Sequence, residues 1–510
     1  MNTTDVIVVG GGGTGLAAAI SACTAGVSVV LLEKNPTLGG TTARSIGSIS
    51  ATQTQYQARE GITDSPDEHF EDMGKFSSKH ANRADNEKLA RILVDNVPQT
   101  MRWLGEKGVS FLGPLEEPPH RKPRMHQVMP NSAAYIFHLE RDARKRGVSI
   151  VTQARAKRLL GTAAAVTGVE YTDAKGETQT LLARRGVILA SGDYAADPQF
   201  KTAFISEAVG ATEAVNPTNT GDGHRMAMDM GARIINQDMF GGGMRFIRPV
   251  VPAWQSRLPP WAWLMRWCAT LLKMAPQSLV RHFVMGFLTT VLVPARELFR
   301  DGAILINASG ERFADENKPM VFELAFQPEA KGYIVFDAAV AKKYSQWPDF
   351  VSTAPGIAFA YLQDYERNRP DLFHRASTLE GLAASLGVDP RHLKASVKEY
   401  NDGTTSDGGA RLSPRGPRPA IGEGPYYALG PVKNYINYTD GGLAINSDLQ
   451  VLGAQDVPIG RLFAAGATGQ GGLLLKGHGN HLGWGFTSGR LAGGYAAQLP
   501  PRDFSTKPKP

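Results

Sequence analysis

The chain has 510 residues, of which 42% are hydrophobic and 20% charged, the composition of an ordinary globular protein. Its length exceeds one typical core and predicts two domains or more. A net charge of +7 without a Lys/Arg-rich run excludes nucleic acid as an expected partner. Two cysteines, Cys23 and Cys268, are too few for a disulfide framework or a metal cluster. Because the N-terminus leads directly into an apolar strand pattern, we expect no signal peptide and a cytoplasmic location.

The first forty residues carry a dinucleotide-binding pattern. An apolar run, 6–9, enters the motif Gly10-x-Gly12-x-x-Gly15, and the small residues 16–25 follow as a predicted helix. A second apolar run, 27–32, ends on Glu33. Such glycines let a pyrophosphate approach a helix N-terminus, while the acid binds a ribose hydroxyl; a glycine-rich turn without ligand is the alternative. The predicted cofactor contacts are Gly10, Gly12, Gly13, Thr14, Gly15, Glu33 and Lys34.

The segment after Glu33 resembles the fumarate reductase/succinate dehydrogenase flavoprotein family. Residues 38–49 are rich in glycine and hydroxyl side chains, which suits a backbone pressed against a flat cofactor. The family places this segment along FAD, whereas the alternative is a loop with no ligand. Members with covalent flavin carry a histidine near Thr41, so the resemblance implies non-covalent FAD here. It adds Gly39, Gly40, Thr41, Thr42, Ser45, Gly47 and Ser48 to the expected contacts.

Later motifs follow the order of the same family. The apolar strand 186–190 resembles the second strand that contacts the nucleotide, and 220–223 resembles a turn beside the flavin. Threonine and aspartate in that turn would also serve as helix caps. The strand 462–467 resembles the one that closes over the flavin, and His224 is expected on the surface. The resemblance implies further cofactor contacts by Ala190, Ser191, Gly192, Thr220, Asp222, Gly466, Ala467 and Leu482.

The resemblance covers essentially the whole chain and implies an α/β protein. A Rossmann-like FAD-binding domain, residues 1–239 and 437–510, would contain an inserted α+β substrate-binding (capping) domain, residues 240–436. Arg312 and Glu316 are expected to join the two domains by charge-assisted bonds, with a surface salt bridge as the alternative. Strand patterns at 148–152 and 166–171 are expected in a smaller, inserted sheet.

Residues 259–295 form an unusually apolar segment. Trp261, Trp263 and Trp267 lie in its first half, with Arg266 and Lys273 on one helical face. A second apolar run, 283–293, is too short to cross a bilayer. The pattern is compatible with peripheral membrane contact and equally with a buried or self-associating helix pair. Both interpretations favour a lipophilic substrate.

The family moves a hydride between flavin and a carbon next to an activating group, thereby making or reducing a C=C bond. Fumarate reductases have an acid and a carboxylate clamp at positions that Met320, Tyr438 and His481 occupy here. These replacements disfavour a C4-dicarboxylate substrate. The 3-ketosteroid dehydrogenases share the glycine skeleton of the loop 476–485, although their catalytic tyrosines are replaced. The resemblance therefore implies a dehydrogenase, or the matching reductase, of a lipophilic cyclic ketone that uses an external electron acceptor.

Residues of the C-terminal loop are the expected catalysts. His478, with His481 or Lys476, would replace the missing tyrosines in proton transfer, because histidine titrates near neutrality and a desolvated lysine has a lowered pKa. The backbone N–H of Gly479 would polarise the carbonyl. The alternatives are loop structure or FAD contact for the histidines and a solvated surface charge for the lysine. The remaining candidates for carbonyl contact or proton transfer are Tyr438 and Tyr135.

Three rival functions stay open. The first is an enoate reductase in which His481, Lys476 and Arg245 or Arg248 hold a substrate carboxylate. The second is a flavin-bearing electron-transfer subunit that docks through 261–293. The third is a flavin monooxygenase, for which the sequence shows no second nucleotide motif.

Overall fold

The computed structural model describes residues 2–76, 83, 85–249, 257–316, 322–354, 357–403 and 418–504. Its strands, numbered in chain order, are β1 (Asn2–Val9), β2 (Val29–Leu32), β3 (Ser48–Ser50), β4 (Ser110–Leu115), β5 (Met125–Met129), β6 (Ser149–Val151), β7 (Arg155–Thr162), β8 (Ala165–Thr172), β9 (Thr178–Leu189), β10 (Ile234–Ile235), β11 (Phe240–Phe246), β12 (Val293–Pro294), β13 (Ile304–Asn307), β14 (Gly332–Phe336), β15 (Ser352–Ala354), β16 (Ala358–Ala360), β17 (Phe373–Ala376), β18 (Tyr426–Thr439), β19 (Gly442–Leu443), β20 (Gln450–Leu452) and β21 (Pro458–Ala464). Its helices are α1 (Gly13–Thr24), α2 (Gln55–Arg59), α3 (Pro66–Met73), α4 (Glu87–Glu106), α5 (Ala133–Lys145), α6 (Pro198–Phe204), α7 (Glu207–Ala211), α8 (Asp222–Met228), α9 (Ala262–Met274), α10 (Gln277–Val291), α11 (Glu297–Arg300), α12 (Ala338–Lys343), α13 (Leu362–Asn368), α14 (Leu379–Leu386), α15 (Pro390–Asp402) and α16 (Asn480–Gln498).

A mainly parallel sheet carries the glycine motif. Its strand order is β20-β21-β9-β1-β2-β6, and the strands from β21 to β6 are parallel. The antiparallel pair β7 and β8 joins it through β9. Residues 6–9 of β1 are all buried, which explains why the strand is a continuous apolar run in the sequence. The carboxyl ends of β1, β2 and β9 meet at one edge, where ligands of such sheets bind.

Helices α1 and α16 pack against each other through glycine. A Cβ added at Gly489 would lie 2.4 Å from the carbonyl oxygen of Thr14, and one added at Gly493 would lie 2.2 Å from that of Ala18. No other residue type fits at either position without moving a backbone. The contact therefore fixes α16, and the loop that precedes it, against the helix of the glycine motif.

A five-stranded antiparallel sheet forms the core of the inserted region. Its order is β11-β18-β14-β13, with β17 also paired to β18. The chain enters this sheet on β11 and leaves it on β18, and these two strands are neighbours. The predicted boundary between 239 and 240 falls at the start of β11. The predicted boundary between 436 and 437 falls inside β18.

Two packing expectations are wrong. Strand β6 pairs in parallel with β2, so it extends the main sheet instead of a smaller inserted one. Arg312 and Glu316 form a buried pair with N···O distances of 2.8 and 2.7 Å. Glu316 also accepts the N–H of Leu305, and the N–H of Arg312 donates to Ser396, so these bonds join parts of the insertion to one another. No helix in the described part of the chain has the length and apolar character needed to cross a bilayer.

The contact between α1 and α16 can be tested with two neighbouring glycines. Gly493→Ala should lower the free energy of unfolding by about 1–3 kcal/mol, because the new methyl group overlaps the α1 backbone. Gly494→Ala is the matched control, since a Cβ there meets nothing within 4 Å, and its helix propensity should stabilise by up to about 1 kcal/mol. Denaturant unfolding of both variants measures the difference. Equal stability of the two would contradict the close approach.

Candidate active site

A cavity of about 930 Å³ opens at the carboxyl ends of β1, β2 and β9. One end is lined by the glycine motif and by residues 40–48. The other end is lined by β11, the last turn of α10, β18 and the loop 475–482. One continuous space therefore joins the nucleotide-binding edge of the main sheet to the inserted region.

The glycine motif is shaped by close backbone contacts. A Cβ at Gly10, whose φ is +111°, would lie 2.3 Å from the carbonyl oxygen of Ala190, and one at Gly15 would lie 1.8 Å from that of Gly10. Helix α1 begins with Gly12 as its N-cap, which has no side chain of its own to cap the helix, and the N–H of Gly13 donates to the hydroxyl of Thr42 at 3.2 Å. The positive end of the helix lies on the cavity wall, where it favours an anion.

Glu33 is held at the end of β2 by backbone donors. Its Oε2 accepts the N–H of Gly11 at 2.7 Å, and its Oε1 accepts the backbone and side-chain N–H of Asn35 at 2.8 Å. A carboxylate has about four lone-pair directions, so Glu33 keeps acceptor capacity toward the cavity. This is the arrangement that the ribose-binding role requires.

The segment after Glu33 is attached to the motif and to the loop before α8. The N–H of Gly39 donates to the carbonyl of Gly11 at 3.0 Å. The hydroxyl of Thr41 accepts from the amides of Asn216 and Asn219 at 3.0 and 2.8 Å. Neither asparagine was singled out in the sequence, because each joins the site through a contact about 175 residues away along the chain.

Lys34, Thr220 and Asp222 bind one another at the rim of the cavity. The Lys34 ammonium lies 2.6 Å from the Thr220 hydroxyl and 2.8 Å from a carboxylate oxygen of Asp222. Arg155 donates to the other carboxylate oxygen at 2.9 Å. Burial alone would raise the pKa of Asp222, but these two cations outweigh it and lower the pKa.

Most of the predicted cofactor residues lie on the cavity wall. They are Gly10, Gly12, Gly13, Thr14, Glu33, Lys34, Gly40, Thr41, Thr42, Ser45, Gly47, Ser48, Ala190, Ser191, Gly192, Asp222, Ala467 and Leu482. The other four, Gly15, Gly39, Thr220 and Gly466, are not among the lining residues. Gly466 donates its N–H to Ser488 at 2.8 Å and thereby joins the end of β21 to α16.

His478 lies on the wall at the other end of the cavity, paired with Glu117. One carboxylate oxygen of Glu117 is 2.6 Å from His478 Nδ1 and accepts the backbone N–H of His478 at 2.7 Å. Glu117 is buried, and its second oxygen has no hydrogen-bond partner among the described residues. Sequence inspection missed Glu117 because 361 residues separate it from the histidine.

The other two basic residues of the loop also face carboxylates. His481 Nε2 lies 3.4 Å from Asp440 Oδ1, and the imidazole packs on the ring of Tyr438 with centroids 4.3 Å apart. The ammonium of Lys476 lies 3.5 Å from Asp85. Burial, with Asp440 adding to it, raises the pKa of Tyr438, so this phenol stays protonated and can donate a hydrogen bond into the cavity.

Gly479 and Tyr135 occupy different positions relative to the wall. Gly479 lines the cavity as the N-cap of α16, with φ +84° and no room for a Cβ, which would lie 2.4 Å from the nitrogen of Ser50. Tyr135 is fully buried and is not among the lining residues; its hydroxyl donates to the carbonyl of Gly47 at 2.7 Å. Tyr135 thus supports the wall from behind instead of contacting a substrate.

Two arginines of the inserted region point to the same cavity. Arg245 donates to Asn437 and to the carbonyl of Val291, both at 3.1 Å, and Arg248 donates to the carbonyl of Arg44 at 3.2 Å. Within the described ranges neither guanidinium forms an ion pair with a carboxylate. Burial, reinforced by Arg248, lowers the pKa of Arg245. An anion in the cavity would offset both the cost of burying the Arg245 charge and its repulsion by Arg248.

Two further buried groups lie at the nucleotide-binding side of the cavity, and Asp193 is one of its lining residues. Burial raises the pKa of Asp193 to about 6, although its oxygens accept from the Ala195 N–H at 3.0 Å and the Asn219 amide at 2.8 Å. His224 is fully buried, with Nε2 3.1 Å from the carbonyl oxygen of Gly441, so its expected surface position is wrong. Met320, which stands where the family has its catalytic acid, lies outside the described residues.

The family model of the FAD binding domain matches residues 5–256 and 269–477. The chain belongs to this family. FAD is therefore its cofactor, and the donors and glycine contacts described above fit it. The predicted family and cofactor are confirmed, as is the fold of a Rossmann-like domain with a cap.

Relatives of the chain are named as oxidoreductases or reductases. It is 27% identical over 473 residues to NADH:fumarate oxidoreductase of Klebsiella pneumoniae (strain 342), a match that covers 91% of this chain and 44% of that protein. It is 29% identical over 518 residues to urocanate reductase of Eggerthella lenta, covering 97% of this chain and 75% of that protein. The chain thus spans less than half of the first protein's length.

The fold resembles solved flavoproteins over almost the entire chain. An open-conformation flavocytochrome c3 fumarate reductase superposes with a TM-score of 0.69 at 24% identity, covering 98% of this chain and 78% of that one. A 3-ketosteroid Δ1-dehydrogenase from Sterolibacterium denitrificans superposes with a TM-score of 0.63 at 22% identity, covering 98% and 100%. At these identities the likeness concerns the fold alone.

The raised pKa of Asp193 predicts a pH dependence of stability. Between the ordinary value of 3.8 and the folded value of about 6, the folded protein binds a proton that the unfolded chain has released. The free energy of unfolding should therefore fall by up to about 3 kcal/mol as pH rises through this window. Asp193→Asn should remove that part of the slope, and the exposed Asp456→Asn should keep it. Denaturant unfolding at several pH values measures this dependence. If the free energy of unfolding of Asp193→Asn changes with pH as that of the parent does, the assignment is contradicted.

Proposed function

We propose that this protein is an FAD-dependent oxidoreductase acting on the C=C bond of an α,β-unsaturated carboxylate, an enoate reductase. The observation that carries the proposal is the pair Arg245 and Arg248, whose guanidinium groups face the cavity without a carboxylate partner in the described part of the chain. FAD, when bound, exchanges a hydride with the substrate carbon. The residues of the chain must then bind the activating group and supply a proton.

The electrostatics of the wall favour an anionic substrate. Burying a cation without a partner is costly, and a planar guanidinium offers paired donors that match a carboxylate. Exposed Arg44 adds a third positive charge to the same wall. A neutral ketone would leave the half-buried Arg245 without an opposite charge, whereas Arg248 and Arg44 are exposed and hydrated. These features support an enoate above the lipophilic ketone expected from the resemblance, although the family's own clamp residues are replaced at Tyr438 and His481.

His478 is the proposed proton donor, and Glu117 is its positioning residue. One buried carboxylate oxygen bonds both the ring and the backbone N–H of the histidine, which fixes the imidazole toward the cavity. His481 and Lys476 then remain available to orient the substrate. This role for Glu117 parallels the carboxylate that orients a catalytic histidine in other enzymes.

A reductase or dehydrogenase of a cyclic ketone is the second candidate, favoured by the N-terminus of α16. Gly479 caps this helix of 19 residues on the cavity wall, where the positive end of the helix dipole can polarise a neutral carbonyl. The apolar side chains of Phe246, Ile247 and Val291 on the opposite wall suit a lipophilic ring.

The domain organisation, the mode of FAD binding and the source of electrons are part of the same proposal. We infer that residues 1–239 and 437–510 hold FAD without a covalent bond, because Thr41 occupies the position of the family's linking histidine. Residues 240–436 then form the capping domain that supplies Arg245 and Arg248. An external carrier exchanges electrons with the flavin, since the sequence contains one dinucleotide motif.

Matched acids and ketones distinguish the two candidates. Anaerobically reduced protein should be reoxidised by cinnamate faster than by benzylideneacetone, which carries a methyl ketone in place of the carboxylate. Arg245→Gln and Arg248→Gln should each lower kcat/KM for the acid by roughly 10- to 100-fold, the worth of a charged hydrogen bond, with the flavin spectrum unchanged. The exposed Arg300→Gln is the control. Faster reoxidation by the ketone, insensitive to Arg245→Gln, would overturn the enoate assignment.

The proton-donor arrangement predicts unequal effects at two adjacent glutamates. Glu117→Gln should lower kcat at least about tenfold with KM little changed, because the imidazole loses the carboxylate that orients it. Glu116→Gln, at an exposed neighbour, should behave as the parent. Stopped-flow flavin reoxidation at varied substrate concentration measures both constants. A Glu117→Gln variant that keeps the parent kcat would exclude this role.

A further inference from the structure

Helix α9 turns its apolar face to solvent. Trp263, Trp267, Leu271 and Met274 are 61, 60, 46 and 79% exposed, and their spacing places them in one stripe along the helix. Met265 on the opposite side is fully buried. Trp261, just before the helix, is 49% exposed and stacks on Trp263. A helix in water normally buries its large apolar side chains, so this stripe indicates a surface that is covered in use.

The charge of the surrounding sequence indicates what covers it. Residues 239–296 contain no aspartate or glutamate and seven lysines or arginines. Two of the seven, Arg257 and Arg266, are exposed beside the stripe. A second copy of the chain would bring two positively charged surfaces together. An anionic surface would be attracted instead.

We propose that α9 is a membrane-binding helix that lies in the interface of a bilayer containing anionic lipid. Tryptophan prefers the level of the lipid headgroups, and flanking arginines bind their phosphates. A helix of 13 residues is about 20 Å long, which suits a helix lying along the surface and is too short for a span. The protein thereby attaches to one leaflet as a peripheral protein.

Helix α10 links the membrane-binding helix to the cavity wall. Helix α10 follows α9 along the chain, and its last residues, Thr290 and Val291, line the cavity wall. The carbonyl of Val291 also accepts from Arg245. The membrane proposal does not depend on whether an enoate or a ketone is the substrate.

Vesicle binding tests the proposal with the FAD-loaded protein. The protein should sediment with vesicles rich in phosphatidylglycerol, with a blue shift of tryptophan emission, and weakly with vesicles of phosphatidylcholine alone. The double variant Trp263→Ser, Trp267→Ser should lose at least about tenfold in vesicle affinity, the worth of two buried aromatic side chains. Phe326→Ser is the control, because Phe326 is also exposed, at 58%, on a different element. Arg266→Glu should weaken binding to the anionic vesicles while leaving flavin reduction unchanged.

Three outcomes would overturn the assignment. They are no sedimentation with either vesicle, equal binding to both vesicle types, and unchanged binding of the double tryptophan variant. Sedimentation velocity without lipid tests the rival interpretation, in which a second copy of the chain covers the stripe. A dimer that is lost in the double variant would support that interpretation. The flavin spectrum of each variant shows that a loss of binding does not come from misfolding.

Discussion

The close approach of α16 to α1 is the constraint on which the site depends. Two glycines bring the backbones together, and the positions of both helix N-termini follow from that contact. The N-terminus of α1 lies at the nucleotide-binding edge of the main sheet, and the N-terminus of α16 follows His478 and Gly479. Segments from the first and last parts of the chain thus form one wall, while the residues between them supply the opposite wall.

Charge is distributed unevenly over the two walls. Each basic residue of the C-terminal loop has a carboxylate close by: His478 has Glu117, His481 has Asp440 and Lys476 has Asp85. Arg245 and Arg248, which line the cavity from the inserted region, have none among the described residues. The positive charge that lacks a carboxylate partner therefore lies on the side of the inserted region, and the basic groups of the loop lie close to carboxylates.

The sequence predicted what is encoded locally and missed what is assembled from distant segments. The glycine motif, its helix and Glu33 lie within about thirty residues and have a fixed spacing, so strand, turn and ligand were predictable together. Glu117 and Asn216 have no such signature, because their partners lie far along the chain. His224 looked like a surface residue on a short helix, yet burial is acceptable since its ring bonds a backbone carbonyl. For α9 the pattern predicted a helix, but a nearly all-apolar sequence gave no indication of which face would turn outward.

The inserted region is connected to the rest of the chain through two neighbouring antiparallel strands. Because β11 and β18 belong to a sheet of their own, neither connection contributes a strand to the main parallel sheet. Changes of size or composition between these strands leave the register of the main sheet untouched. Selection could therefore exchange the walls that choose a substrate while the flavin-binding half was inherited intact. A fold attached in this way can give rise to new specificities without first losing its cofactor.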